Sequence, residues 1–279
     1  MIALLSIQTP IVIMHGFMDH KDTLLHLKHK IENAFPDRKV INCEVGNGQI
    51  SSIVTPINQQ VSELRTCIMD DEDTKNGFYA IGHSQGSYLF RQYIELHQHD
   101  SPPVIKYFSL AGPLGGQFCG RKSKCFHVSF PWFINNYIEN HVYKDSWQNG
   151  IGASNYWRDP YQLEVYQERS TSLAILDNIR EYSQQRKENF MSVAQIVLFG
   201  GPNDGIITPW QSTFFGVFKE NKDKDVVEYQ DRPEYKEDTF GLRSMVEQGR
   251  IEFVQTDLDH LSYVLNNNFI ENILIPRLK

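Results

Sequence analysis

The sequence predicts an α/β fold with a mostly parallel, doubly wound sheet. Three observations carry this: apolar runs of strand length, amphipathic helical stretches between them, and no internal repeat or low-complexity tract. The first run, Ile11-Val12-Ile13-Met14, is apolar at every position, the pattern of a strand buried on both faces of a parallel sheet. Leu24, Leu25, Leu27, Ile31 and Phe35 follow at helical spacing and Pro36-Asp37 closes them, so a helix is expected from Asp22 to Phe35. Val40 to Cys43 reads as the second strand. Ile57, Val61, Leu64 and Ile68 fall on one face, predicting a second helix from Ile53 to Met69. Phe78 to Ile81, Ser87 to His97 and Val104 to Leu110 then supply a third strand, a third helix and a fourth strand. From Gly112 to about Ser192 the alternation stops, and Gly, Pro, Cys and aromatics, among them Trp132, Trp147 and Trp157, take over. This reads as a cap insertion, at about 113–192, within one domain spanning 1–279. Val193 to Phe199 and Ile251 to Gln255 restore the strands, and Ser262 to Leu274 reads as the last helix.

With 279 residues, 41% of them hydrophobic and 22% charged, the chain has the composition of one large globule. The 27 basic residues against 34 acidic ones give a net charge of −7, which opposes a phosphate backbone, so no nucleic-acid partner is expected. No apolar run approaches the ~18 residues of a membrane helix, so no transmembrane segment is expected. Met1 to Thr9 carries an apolar patch with no basic residue before it, which does not make a complete secretory leader. No N-x-[ST] sequon occurs either, and the compartment stays open. Cys43, Cys67, Cys119 and Cys125 form no C-x-x-C pair, so no metal is expected; their even number permits disulfides without fixing a pairing.

Gly82-His83-Ser84-Gln85-Gly86 is a G-x-S-x-G pattern lying between an expected strand and an expected helix. In that context it is a strained turn that displays a nucleophile, where the same letters elsewhere would be an ordinary small-residue turn. A serine hydroxyl is a weak nucleophile until a histidine takes its proton and a carboxylate orients that histidine. Asp204, in Gly200-Gly201-Pro202-Asn203-Asp204-Gly205, and His260, in Asp257-Leu258-Asp259-His260, each follow an expected strand. Ligand-binding and catalytic residues of open α/β sheets gather at such strand ends. The order Ser84, Asp204, His260 is that of the α/β-hydrolases. Asp257 and Asp259 rival Asp204, although carboxylates that near His260 more often cap the following helix. His26, His29, His97 and His99 read as solvent-facing helix residues, and His83 as a packed neighbour of the nucleophile.

Acyl transfer also needs two backbone N–H groups aimed at the oxyanion. Gln85, after the nucleophile, is expected to give one, and Phe17, in the His15-Gly16-Phe17 loop after the first strand, the other. No cofactor or metal enters this chemistry. An acyl groove is expected in the insertion, along Trp132, Phe133, Ile134 and Tyr137, although plain packing of the cap accounts for these residues equally well.

These residues resemble the palmitoyl-protein thioesterases over nearly the whole chain from Pro10. Ile13-Met14-His15-Gly16-Phe17-Met18-Asp19 looks like that family's H-G-x-x-D segment, and Ser84-Gln85-Gly86 is similar to its S-Q-G-G turn. Asn155-Tyr156-Trp157-Arg158-Asp159-Pro160 resembles its Y-W-x-D-P signature, the most specific of the matches, and Gly201 to Ser212 is also similar. His20, Ser87 and Arg158 stand where the family usually has Ser, Gly and His. The resemblance implies an α/β-hydrolase with a Ser84, Asp204 and His260 triad, with Phe17 and Gln85 as the oxyanion hole. It further implies release of long fatty acyl groups from thioesters of proteins, peptides or coenzyme A, a lysosomal location by the secretory route, and a short disulfide loop between Cys119 and Cys125. A lipase-like carboxylic-ester hydrolase on the same machinery is the alternative. A non-catalytic binding scaffold would be expected to have lost one of the three residues, and none is lost.

Overall fold

A computed structural model describes residues 8–120 and 132–279, the side chains of Trp132 and Phe133 excepted. Among the described residues one sheet is built from β1 (Ile11–Met14), β2 (Val40–Cys43), β3 (Phe78–His83), β4 (Val104–Leu110), β5 (Gln195–Gly200) and, last in the chain, β8 (Ile251–Gln255). Their order is β2-β1-β3-β4-β5-β8, and every neighbouring pair is parallel. Parallel pairs need crossovers, and helices on both faces provide them. Side chains alternate across a strand. In β1, Ile11 and Ile13 therefore enter a core with Leu27, Ile31, Phe108, Phe199 and Phe269, whereas Val12 and Met14 join Val61, Leu64, Tyr88 and Leu198 on the opposite face. The uninterrupted apolar runs of the sequence are this two-sided burial.

Four helices complete the first half: α1 (Leu25–Ala34), α2 (Gln49–Val54), α3 (Ile57–Met69) and α4 (Gln85–His97). Ile57, Val61, Leu64 and Ile68 are buried as their spacing predicts. The helix expected from Ile53 to Met69 is nevertheless two, because Pro56 lacks an N–H and forces Thr55 before it into extended backbone, φ −102° and ψ 127°. The expected helix from Asp22 begins as a 3₁₀ turn, Lys21–Leu24. Cys43 at the end of β2 is disulfide-bonded to Cys67 of α3. Closing that 24-residue span stabilises the fold by about 3 kcal/mol in the loop-entropy treatment. Cys125 lies outside the described residues, so the Cys119 pairing does too.

Between β4 and β5 the chain runs through α5 (Trp132–His141), α6 (Asp145–Gln148), α7 (Leu163–Arg169), α8 (Leu173–Leu176) and α9 (Gln184–Ser192). Between β5 and β8, where the sequence pattern carries no expectation, come a small antiparallel hairpin, β6 (Val217–Phe218) with β7 (Val226–Val227), and two short helices, α10 (Pro233–Lys236) and α11 (Leu242–Glu247). The expected last helix is broken. α12 (Ser262–Leu265) stops at Asn266, whose side chain accepts the Phe269 N–H and starts a new turn, α13 (Asn267–Phe269).

A buried ionic cluster ties α4 to the later segments. Arg91 donates to Glu95, to Asp177 beyond α8 and to the Leu114 carbonyl, while Arg232 donates to the other oxygen of Asp177, to Glu234 and to the Phe215 carbonyl. Arg91, Glu95 and Asp177 are wholly buried. Burial, opposed by the Arg91 charge, pushes the Glu95 carboxyl up to about 7. Between the ordinary carboxylate value and that value the folded chain holds a proton that the unfolded chain has released. The Glu95 contribution is thus full below pH ~4.5 and is lost as pH rises through ~7. Glu95→Gln, which cannot ionise, is expected to melt roughly 5 °C higher relative to wild type at pH ~8 than at pH ~4. An equal shift at both pH values would show that folding leaves the Glu95 carboxyl at its ordinary value.

Candidate active site

The G-x-S-x-G segment forms the turn from β3 into α4, with Ser84 in the left-handed region at φ 54°. Glycine is required beside it for space. A Cβ on Gly82 would lie 2.3 Å from the Ser87 nitrogen, and one on Gly86 would lie 2.3 Å from the Met14 carbonyl oxygen. Ser87, where the resemblance expects glycine, is accommodated by Gly112 across from it and donates its hydroxyl to the Gly82 carbonyl at 2.6 Å. Hydrogen bonds from Ser84 N–H to Leu110 and from Ser87 N–H to Ser84 hold the turn at 2.8 and 3.0 Å. Gln85 opens α4, and the first N–H groups of a helix have no intrahelical acceptor, so its N–H is free in principle for an oxyanion.

Asp204 and His260, 56 residues apart, are joined by a 2.7 Å bond between Oδ2 and Nδ1. The other carboxylate oxygen accepts the N–H groups of Ile206 and Ile207 at 3.0 and 2.7 Å, which fixes its plane. The His260 N–H donates to the Asp204 carbonyl at 3.1 Å, so His260 is mounted on Asp204 by backbone as well as side chain. Asp259 is engaged elsewhere, accepting from the Leu261 and Ser262 N–H groups and the Ser262 hydroxyl. Of the rivals, then, Asp204 is the carboxylate on the ring.

His83 is buried and contributes position. Its Nε2–H donates to the His260 carbonyl at 2.9 Å, and the two rings lie 4.8 Å apart. Burial first, and then the neighbouring His260, push the His83 imidazole down to about 4, so it stands neutral beside His260 at mildly acidic or neutral pH. His15 pins the first loop: its Nε2 accepts the Val45 N–H at 3.3 Å, leaving Nδ1–H to donate to the Gly16 carbonyl at 3.0 Å. Gly16 presses on Ser84, and a Cβ there would stand 2.9 Å from the Ser84 Cβ.

Ser84, Asp204 and His260 open on one cleft of about 460 Å³, whose other described walls are Phe17, Met18, Ile206, Asp259 and Leu261. That is a volume typical of small-ligand sites, and most of these walls are apolar. Of the four expected groove residues, the side chains of Trp132 and Phe133 lie outside the described residues. Ile134 and Tyr137 are exposed on α5, with Tyr137 stacked on His141 at 4.2 Å, and neither is among the described walls of this cleft. Among the described residues no group of His, Cys, Asp and Glu is placed to hold a metal ion, and no helix is long and apolar enough to cross a membrane.

The sheet order and the strained serine turn make this an α/β-hydrolase. A monoacylglycerol lipase from Paleococcus ferrophilus is similar in fold, with a TM-score of 0.55 at 14% identity, over 97% of this chain and 95% of that one. The chain belongs to the palmitoyl-protein thioesterase family, whose model, described as palmitoyl protein thioesterase, matches residues 10–260. Palmitoyl-protein thioesterase 3 of Dictyostelium discoideum is 33% identical over 284 residues, covering 100% of this chain and 95% of that protein. The lysosomal thioesterase PPT2 of Homo sapiens is 27% identical over 274 residues, covering 96% of this chain and 87% of that protein.

Proposed function

We propose that this protein is a serine hydrolase that removes long-chain fatty acyl groups, palmitoyl among them, from thioesters through an acyl-Ser84 intermediate. The observation that carries the reading is the 2.7 Å Asp204–His260 bond on the cleft onto which the strained turn exposes Ser84. Nδ1–H of His260 points at the carboxylate, which leaves Nε2 as the base. His260 takes the Ser84 proton as Oγ attacks the acyl carbonyl; Asp204 stabilises the imidazolium; the Phe17 and Gln85 N–H groups and the α4 N-terminus receive the oxyanion. The thiol then leaves, and water, deprotonated by the same histidine, releases the acid. Thiols have an ordinary pKa near ~8.5, so departure of the thiolate needs less protonation than departure of an alkoxide. The apolar walls Phe17, Met18, Ile206 and Leu261 suit an acyl chain better than a polar substrate.

The Cys43–Cys67 disulfide fits an oxidising compartment, and with the lysosomal relatives it supports a secretory route to the lysosome. Two measurements test the activity. A fluorophosphonate probe is expected to label the folded protein on the peptide containing Ser84. Turnover of acyl-CoA is expected to rise from octanoyl to palmitoyl and to exceed that of the matching p-nitrophenyl esters. A preference for short oxygen esters would contradict the thioesterase reading.

A further inference from the structure

α2 is a short surface helix whose burial is the reverse of the usual pattern. Two of its three apolar residues, Ile50 and Val54, are 73% and 56% exposed, the third, Ile53, is half-buried, and its one fully buried residue is a serine, Ser52. An amphipathic helix is ordinarily held by its apolar face. Here the face turned inward offers a hydroxyl and a carbonyl, and both are used.

The Ser52 hydroxyl accepts the Met18 N–H at 2.9 Å and donates to the Gln49 carbonyl at 2.7 Å. Met18 directly follows Phe17 and has φ 57°, a left-handed conformation that side-chain-bearing residues disfavour and that needs holding. The Ser52 carbonyl accepts from the side-chain amides of Gln85 and Gln60, each at 3.1 Å. Gln85 completes its donors on the Gln60 carbonyl oxygen at 2.8 Å, and its own oxygen accepts the Tyr156 hydroxyl at 2.9 Å. Gln60 completes its donors on the Thr55 carbonyl at 2.6 Å. Ser52 and Gln60 are wholly buried and Gln85 nearly so. The cap closes over them at Gly152, where a Cβ would lie 2.6 Å from the Gln60 amide nitrogen. A polar cluster with every amide donor matched is rigid, and its geometry is transmitted from one member to the next.

We propose that Ser52 is a positioning residue for acyl transfer: it holds both halves of the oxyanion hole, the Phe17-Met18 turn through its hydroxyl and Gln85 through its carbonyl. Tyr156 of the cap extends the same mount from above. Ser52 touches neither substrate nor Ser84. It fixes where two N–H groups point, and preorganised donors stabilise an oxyanion only if they are in place before the charge forms. The inference rests on the Ser84 acyl-enzyme reading and adds to it the residue that aligns the hole.

Ser52→Ala removes the acceptor of the Met18 N–H and leaves the carbonyl in place. Deleting an oxyanion donor outright costs about 10²–10³-fold in kcat; misaligning one is expected to cost about tenfold or more, with KM within about twofold of wild type. The rate of fluorophosphonate labelling of Ser84 is expected to fall in parallel, both rates being counted per folded molecule by titrating labelled sites. Tyr156→Phe, which frees the Gln85 oxygen and keeps the Ser52 bond, is expected to give a smaller loss of the same kind, and it carries the test if Ser52→Ala does not fold. Wild-type kcat in folded Ser52→Ala, or a lowered melting temperature as the sole change, would overturn the proposal. Wild-type protein that resists labelling would instead remove the nucleophile reading beneath it.

Discussion

Asp204→Asn is expected to lower kcat about 10⁴-fold while leaving the chain folded. The residue has two tasks that the substitution separates. One oxygen accepts the Ile206 and Ile207 N–H groups and the other holds Nδ1 of His260. An asparagine can turn its carbonyl oxygen to the two backbone donors and keep the loop as it is. Its NH₂ then faces Nδ1, which must become an acceptor, and the imidazole proton moves to Nε2, the nitrogen required to take the Ser84 proton. The base is disabled by tautomer, with no loss of packing. Ser84→Ala removes the proposed nucleophile and is expected to abolish probe labelling and reduce turnover at least as far. Asp259→Asn, whose carboxylate caps Leu261 and Ser262, is expected to keep kcat within about a few-fold of wild type. Full turnover in folded Asp204→Asn would transfer the orienting role to another carboxylate.

The placement of Ser84, Asp204 and His260 on one cleft was legible because it depends on local facts in a fixed order: apolar strands, a small-residue turn after one, and an acid and a histidine after two later ones. Each residue's neighbourhood in sequence told where in an α/β sheet it would stand. The Ser52 cluster is of the opposite kind. Its bonds to Met18 and Gln85 span 34 and 33 residues, and a serine within an apolar stretch shows nothing of which way a short helix turns. The helix breaks had local signals, Pro56 and Asn266, that apolar periodicity outweighed. The Cys43–Cys67 pairing is a matter of β2 lying beside α3, which a cysteine count does not encode. The hairpin and short helices between β5 and β8 have few apolar residues at any regular period, so they surface only when the chain is folded.

Asp177→Ala is expected to destabilise the fold by about 3–5 kcal/mol, the cost of breaking a buried ion pair from one side. Asp177 gives one oxygen to Arg91 at 2.7 Å and the other to Arg232 at 2.6 Å, and neither guanidinium has access to water to replace it. Glu95 and Glu234 each retain one arginine, and the Arg232 and Arg158 charges, working against desolvation, hold the Glu234 carboxyl down to about 2. Loss of Asp177 therefore leaves two cations partly matched, each missing its shortest bond to a carboxylate. For a chain of this size the melting temperature should drop by about 10 °C. The consequence reaches the site because Arg91 lies on α4, whose first residue, Gln85, carries the N–H proposed for the oxyanion, while Asp177 and Arg232 come from segments packed over that helix. Below the new transition the surviving folded molecules should turn over normally, since no catalytic residue has been touched. A loss of kcat per folded molecule well below the melting range would mean that the cluster also sets the alignment of α4, and an unchanged melting temperature would mean that Arg91 and Arg232 find compensation within the cluster.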